Sequence, residues 1–337
     1  MAFGDAMNKP KTHRVKIVGT GFYAPDKILT NADLAKMVDT TDEWIVSRTG
    51  MKERHIAAAD QATSDMVVLA GKRALKNAHL EPKDIDCIIV ATSTPDTIFP
   101  PTACWVQAGL KAAHAAAFDV SAACSGFLYG MIVAESLITS GASKRVLLSG
   151  AEMLTRVTNW EDRNTCVLLG DAAGAVVLEE SHDESGILST YWQADGNLGP
   201  LLLQPAGGSR LPASHETVDK KLHFLQMKGN EVFKHAVKRM SEAAEEALKR
   251  AGLTKDDITW FIPHQANMRI IKATGERLGV PEEKVFVNIQ KYANVSAATI
   301  PIGLDELRAE GKLKKGDIIV MDAFGAGFTW ASIVYRW

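Results

Sequence analysis

Residues 74–94, ALKNAHLEPKDIDCIIVATST, are echoed by residues 247–267, ALKRAGLTKDDITWFIPHQAN, 173 positions further along the chain. Each copy runs from an amphipathic helix through a leucine in a short loop and an acidic pair into an apolar run. Those runs, Asp86 to Val90 and Thr259 to Pro263, read as buried strands. Further on, AAFDVSAACSGFLYGMIVAESLITSGASKRVLLSG (116–150) shares its plan with KVFVNIQKYANVSAATIPIGLDELRAEGKLKKGDIIVMD (284–322). In each, a strand leads through a small-residue turn into a helix, then a Gly-Lys loop and another strand. Helices alternating with near-continuous apolar strands point to α/β sheets covered on both faces. A period of about half the chain is too long for a solenoid. It predicts two similar domains, 14–180 and 181–337, packed together. Segment 195–221, rich in Gly, Pro and Ser, is expected to be a long surface loop of the kind that covers sites.

Composition narrows the function classes. The chain has 337 residues, room for about two domains of ordinary size. No window approaches the roughly 18 uninterrupted apolar residues of a membrane span. The first thirteen residues lack the apolar core of a secretory signal, so 1–13 is expected to be a disordered tail on a cytoplasmic protein. Four cysteines, at 87, 104, 124 and 166, show no metal-ligand spacing and read as reduced thiols. A net charge of -2 supplies no global field for nucleic acid, so an acidic partner must meet a local basic patch.

Chemistry concentrates at DVSAACSGFLYG (119–130). An unpaired cysteine is among the most often buried residue types, so the turn alone leaves Cys124 open between core packing and catalysis. It sits at a helix start among Ala123, Ser125 and Gly126, which leave clearance for a substrate, and turn N–H groups there can serve an oxyanion. A helix N-terminus and a nearby imidazole both favour the thiolate. The repeat sets the turn around Asn294 against Cys124, and PHQAN places His264 at the carboxyl end of a strand, where α/β sheets bind ligands. Cys124, His264 and Asn294 thus converge as a thiol nucleophile with two donors. Trp44 and Arg48, four apart in DEWIVSRTG, share a helix face. Asn267 suits the N-cap of the helix that follows it. The other eight histidines carry no motif.

Taken together, DEWIVSRTGMKERH (42–55), VSAACSGF (120–127), DRNTCVLLGDAAGAVVLE (162–179), PHQANMRI (263–270), YANVSAATIP (292–301) and FGAGFTW (324–330) resemble the ketoacyl-acyl-carrier-protein synthase III enzymes of the thiolase-like superfamily. The resemblance implies an α/β thiolase-like fold of two duplicated halves in a five-layer αβαβα arrangement. It implies the initiating step of type II fatty-acid synthesis. Cys124 takes an acyl group from acyl-CoA, acetyl-CoA being the expected primer, and malonyl-acyl carrier protein then condenses with loss of carbon dioxide. His264 and Asn294 would hold the malonyl thioester oxygen, and the N–H groups of Cys124 and Ala326 would form the oxyanion hole. Trp44 and Arg163 would stack on the adenine of coenzyme A, Arg48 would lie near its phosphates, and Asn267 would bind the pantetheine arm. Arg269, with Lys234 and Lys272, would meet the acidic carrier protein. Phe99 would cross a homodimer to close the partner's acyl pocket. No metal or organic cofactor is implied.

Two positions depart from the family's pattern. Alanine stands at 326 and 293, where the family often has glycine, and altered pocket shape with activity retained is expected if φ is negative at both. Related classes fit less well. A thiolase needs a late second cysteine, and none follows Cys166. An elongating synthase would have His at 294, and a hydroxymethylglutaryl-CoA synthase would want a glutamate near Cys124. The papain signature is absent, and the intact trio argues against a non-catalytic scaffold. The remaining rival is a secondary-metabolism relative, of polyketide or alkylquinolone type, primed by a longer or aromatic acyl-CoA.

Overall fold

The computed structural model describes residues 14–337, so the tail expected over 1–13 lies outside the described residues. Strands form where the apolar runs predict them. Cys87–Ala91 pairs in parallel with both Ala116–Val120 and Arg145–Met153. Arg145–Met153 then pairs antiparallel with Asp171–Ser181, and that strand with Arg14–Tyr23. In the second sheet, Trp260–Pro263 pairs in parallel with Ile318–Gly325. This is followed antiparallel by Thr329–Arg336 and then Gly186–Ala194.

Both sheets have the same connectivity. Numbering strands within each half in chain order, and keeping number 3 in the second half for the segment at Val285, the first sheet reads 1-5-4-2-3 and the second 1-5-4-2. The strand expected to open the segment 284–322 is reduced to a single parallel bridge, Phe261 to Val285, because the short helix Ile289–Tyr292 takes up the chain that would extend it. The offset of 173 holds from strand to strand: Cys87 corresponds to Trp260 and Arg145 to Ile318.

Periodicity explains the layers. Helix Gly126–Thr139 buries nine of its residues, being apolar almost all round, and so belongs between two sheets. Its Phe127, Leu128 and Met131 pack with Ile300, Leu304 and Leu307 of helix Thr299–Ala309 and with strand residues of both sheets. Each such side chain contributes about 1.5–3 kcal/mol on burial. Helices Thr63–Ala78 and Thr102–Leu110 cover the outer face of the first sheet. Gly229–Ala251 and Met268–Leu278 cover that of the second. The result is five layers, αβαβα.

Segment 195–221 is more ordered than a plain loop. It contains a 3-10 turn, Gly196–Leu201, a two-residue strand, Leu202–Leu203, paired with Gln226–Met227, and the capped helix His215–Asp219. The halves meet backbone to backbone at Gly150, where a Cβ would lie 2.1 Å from the Ala297 carbonyl oxygen. Only glycine permits that approach.

Candidate active site

Two equivalent turns face each other at the centre of the molecule. Ala123–Ser125 leads into helix Gly126–Thr139, and Ser296–Ala298 leads into Thr299–Ala309. Ala123 has φ +46° and Ser296 φ +47°, each in the left-handed region that a side chain disfavours. The Ser125 N–H donates to the Ala122 carbonyl and the Ala298 N–H to that of Val295, the same bond 173 positions apart. The residue equivalent to Cys124 is therefore Ala297, with Asn294 three positions before it. His264 and Ala91 are likewise equivalent, so at these two positions one half keeps the site residue and the other an alanine, while Asn294 is matched by Ser121.

The hairpin at Gly325–Thr329 closes onto the Cys124 turn. The Thr329 hydroxyl donates to the Ala122 carbonyl at 3.0 Å, and a Cβ on Gly325 would lie 2.7 Å from the Cys124 nitrogen. The Cys124 N–H lies in the 3-10 turn Ala123–Ser125, where the first N–H groups of a helical turn lack an intrahelical acceptor, and Ala326 directly follows strand Ile318–Gly325. Ala326 is not among the positive-φ residues, so the condition of a negative φ is met there. At Ala293 that condition fails: it has φ +57° and ψ −154°, a conformation that otherwise belongs to glycine. Its N–H donates to Ile289, the following Asn294 N–H donates to Leu168, and its methyl packs in a buried cluster, so surrounding structure holds it there.

His264 is buried at the end of strand Trp260–Pro263, and burial drops its pKa to about 3, so the imidazole is neutral. Its Nδ1 lies 2.9 Å from the Thr299 hydroxyl, which also lies 3.0 Å from the Ser296 carbonyl. One hydroxyl proton can serve only one of them. Since the Thr299 N–H already donates to the Ser296 carbonyl, giving that proton to Nδ1 orphans nothing and leaves Nε2–H as a donor. Asn294 is oriented by the Ser296 N–H, which donates to its Oδ1 at 2.8 Å and so leaves its NH2 free.

Burial also pushes the Cys124 thiol up to about 12, and the Glu152 charge adds to this, while a Ser296 hydrogen bond pulls the other way. This corrects the expectation of a thiolate favoured by an imidazole, because the neutral His264 supplies no positive charge. Glu152 itself was not legible as a site residue. It lies on strand Arg145–Met153, fully buried, and accepts from the Ser296 hydroxyl at 3.0 Å and the Thr94 hydroxyl at 2.7 Å. The sequence places no glutamate beside Cys124; tertiary contact does.

Cys124, His264 and Asn294 all line one cavity of about 480 Å3, together with Trp44, Arg48 and Asn267. Trp44 and Arg48 share a helix face as their spacing predicts, with the guanidinium 4.7 Å from the ring centroid. Arg163 also stacks on Trp44, at 4.9 Å, and donates to the Asp39 carbonyl. Asn267 caps its helix by accepting the Arg269 N–H, and Arg269 is exposed at the cavity lining. Lys234 and Lys272 line no part of this cavity and pair with Glu231 and Glu282. A second cavity of about 180 Å3 opens from Cys124 between Leu154, Val157, Leu168 and Leu203. Phe99 is not brought to it: the side chain is 83% exposed, beside Ile98 at 80%. Among the described residues no group of three or more His, Cys, Asp or Glu is placed to hold a metal ion, and no helix is long and apolar enough to cross a membrane.

Duplicated α/β halves that each offer a turn to a cavity lined by Cys, His and Asn define a thiolase-like condensing enzyme. Residues 118–196 match the family described as 3-Oxoacyl-[acyl-carrier-protein (ACP)] synthase III, and residues 248–337 match the one described as its C terminal. The chain is 58% identical over 321 residues to the beta-ketoacyl-acyl-carrier-protein synthase III of Caldanaerobacter subterraneus subsp. tengcongensis, covering 95% of this chain and 97% of that one. It is similar to the crystal structure of the 3-oxoacyl-acyl-carrier-protein synthase III of Aquifex aeolicus, with TM-score 0.89 and 51% identity over 96% of this chain and all of that one. The chain belongs to the beta-ketoacyl-acyl-carrier-protein synthase III family. It is an acyltransferase, an initiating condensing enzyme of fatty-acid synthesis. A priming ketosynthase from the R1128 polyketide pathway is also similar, at 35% identity and TM-score 0.89 over 97% of this chain and 98% of that one. Its identity is well below the 58% and 51% of the two synthase III enzymes named above, so the secondary-metabolism reading is not favoured.

Proposed function

We propose that the chain loads an acyl group from acyl-CoA, with acetyl-CoA the expected primer, onto Cys124. It then condenses that group with malonyl-acyl carrier protein in the cytoplasm, releasing CoA and carbon dioxide. The observation that carries this reading is the meeting of Cys124, His264 and Asn294, from three distant segments, in one cavity. The Cys124 sulfur attacks the thioester carbon, and the developing oxyanion is met by the Cys124 and Ala326 N–H groups. When malonyl thioester follows, its oxygen accepts from His264 Nε2–H and the Asn294 amide. Charge that builds there on decarboxylation is stabilised by donors that need not change protonation state.

The surrounding residues fit the same reading. Trp44, Arg48 and Arg163 suit the planar and anionic parts of coenzyme A, and an adenine between Trp44 and Arg163 displaces a stacked guanidinium. Asn267 lines the channel where the pantetheine arm runs. Arg269 steers the acidic carrier protein; Lys234 and Lys272, already paired, contribute less. The 180 Å3 pocket has room for about six water-sized groups, which suits a short primer. In a homodimer Phe99 of each copy closes the other's pocket. Exposed Ile98, Phe99 and Trp105, beside the edge strand Ala116–Val120, support such an interface.

The test is to incubate the protein with a panel of acyl-CoAs, read the mass added to Cys124, and then supply malonyl-acyl carrier protein. Transfer of acetyl in preference to longer or aromatic groups, followed by a β-ketoacyl product, is expected. Absence of transfer to Cys124 from every donor would overturn the reading. A pH prediction follows from His264, whose pKa of about 3 keeps it neutral across the working range. Single-turnover condensation by pre-acylated enzyme is therefore expected to be flat from about pH 6 to 8. A limb in that interval that disappears in His264→Ala contradicts the donor role. The same burial lowers acid stability: the unfolded chain takes up this proton below 6.5 and the folded chain only near 3, so stability falls as pH drops through that window.

A further inference from the structure

The proton of the Cys124 thiol has no evident destination in the site as described. His264, the obvious acceptor, is a weak base because burial holds it near 3. On the inner face of the first sheet, however, a fully buried carboxyl approaches the sulfur through one hydroxyl. We propose that Glu152, acting through Ser296, receives the Cys124 proton during acyl transfer and returns it when condensation releases the thiolate. This rests on the reading of Cys124 as the acyl acceptor.

Glu152 accepts hydrogen bonds from Thr92, Ser93, Thr94 and Ser296. Thr94 Oγ1 donates to Oε2 at 2.7 Å, the Ser93 N–H donates to both oxygens at 3.1 Å, and Thr92 Oγ1 lies 3.4 Å from Oε2. Ser296 Oγ donates to Oε1 at 3.0 Å, and Ser296 and Cys124 line the same small cavity, where a hydrogen bond from Ser296 favours the Cys124 thiolate. Such a set serves the ionised carboxylate, while burial without a cationic partner disfavours it, and the balance lies at about 7. That is near the operating pH of a proton acceptor and well above His264.

The facing titratable group is Cys124. Asp171 on the adjoining strand binds Ala57 and Thr155 instead. On the packed helices Asp305 and Arg308 engage Thr20, Glu306 engages Asn288 and Lys291, Arg73 engages the Phe22 carbonyl, and Glu135 is buried on Gly126–Thr139. Ser296 occupies its left-handed conformation where the equivalent Ala123 carries no hydroxyl, so the relay exists in one half only.

The steps balance. The S–H bond breaks as its proton passes to Ser296 Oγ, whose own proton passes to Glu152 Oε1. The sulfur pair bonds the thioester carbon, and the C–S pair leaves on coenzyme A as thiolate, protonated by solvent at the cavity mouth. In condensation the pair freed by decarboxylation attacks the acyl carbon, and the C–Sγ pair returns to sulfur. Glu152 then sends its proton back through Ser296, so one solvent proton is consumed per turnover.

Single-turnover acylation by acetyl-CoA, read as mass on Cys124 from about pH 5.5 to 9, tests this in the full chain. Wild type is expected to show an acidic limb near pH 7. Glu152→Gln and Ser296→Ala are expected to lose that limb and to acylate about 10²-fold more slowly, while condensation by pre-acylated enzyme changes less than about threefold. Ser296→Ala keeps the backbone N–H that orients Asn294, so it carries the test even if Glu152→Gln fails to fold. A folded variant with wild-type acylation and the limb intact overturns the relay alone, as does equal loss in both half-reactions with the limb retained. Wild type that is never acylated at Cys124 overturns the relay together with the reading beneath it.

Discussion

With His264 or Asn294 replaced by alanine, Cys124 is expected to be acylated by acyl-CoA at close to the wild-type rate, while condensation falls by about 10²–10³. Both side chains line the cavity with Cys124, yet neither is placed to ionise the thiol: the imidazole is held neutral near 3 and the amide carries no charge. Their shared capacity is donation. With the Thr299 hydroxyl proton given to Nδ1, Nε2–H is the donor, and the Ser296 N–H sets the Asn294 amide by occupying its oxygen. An oxygen that gains negative charge only on decarboxylation draws more from such donors in the transition state than in the ground state. Mass analysis of the acyl-enzyme and product formation from malonyl-acyl carrier protein separate the half-reactions. Parallel loss of both contradicts the assignment.

The second large effect is on stability. Arg54 is fully buried and forms no ion pair with a carboxylate among the described residues. It donates to the Asn31 side-chain oxygen at 2.8 Å, the Leu29 carbonyl at 3.2 Å and the Val167 carbonyl at 2.8 Å. Burial lowers its pKa only to about 10, so it stays charged at neutral pH. Arg54→Met leaves three acceptors without their donor and is expected to cost about 3 kcal/mol or more, read by urea denaturation. Lysine does not restore the fork that reaches three acceptors at once. Activity should fall with it, because the neighbouring Leu168 carbonyl accepts the Asn294 N–H. A loss under about 1 kcal/mol contradicts this account.

The duplicated plan was legible because it is written in local periodicity. Two copies of helix, loop and strand at one spacing predict two sheets, and the turn after each apolar strand predicts a helix; that Gly126–Thr139 lies between the sheets follows from its burial in the folded chain. Elsewhere local signals compete. The strand expected to open 284–322 gives way to a bridge, since the short helix Ile289–Tyr292 follows it. The segment 195–221 looked like loop because its order comes from pairing with Gln226–Met227, which no local pattern encodes.

The sequence by itself determined which side chains carry chemistry: a cysteine at a helix start, a histidine at a strand end and an asparagine in the matching turn. Their motifs are local, and so is the resemblance that names their family. The tertiary structure alone decided what environment they share. Whether a thiol is raised or lowered depends on burial and on groups far along the chain, and Glu152 reaches Cys124 only because the second half presents Ser296 between them. Likewise the positive φ of Ala293 is imposed by the bonds around it, not by the residue. Electrostatics and strain are properties of contacts, and contacts between residues more than a hundred positions apart are set only when the two halves close.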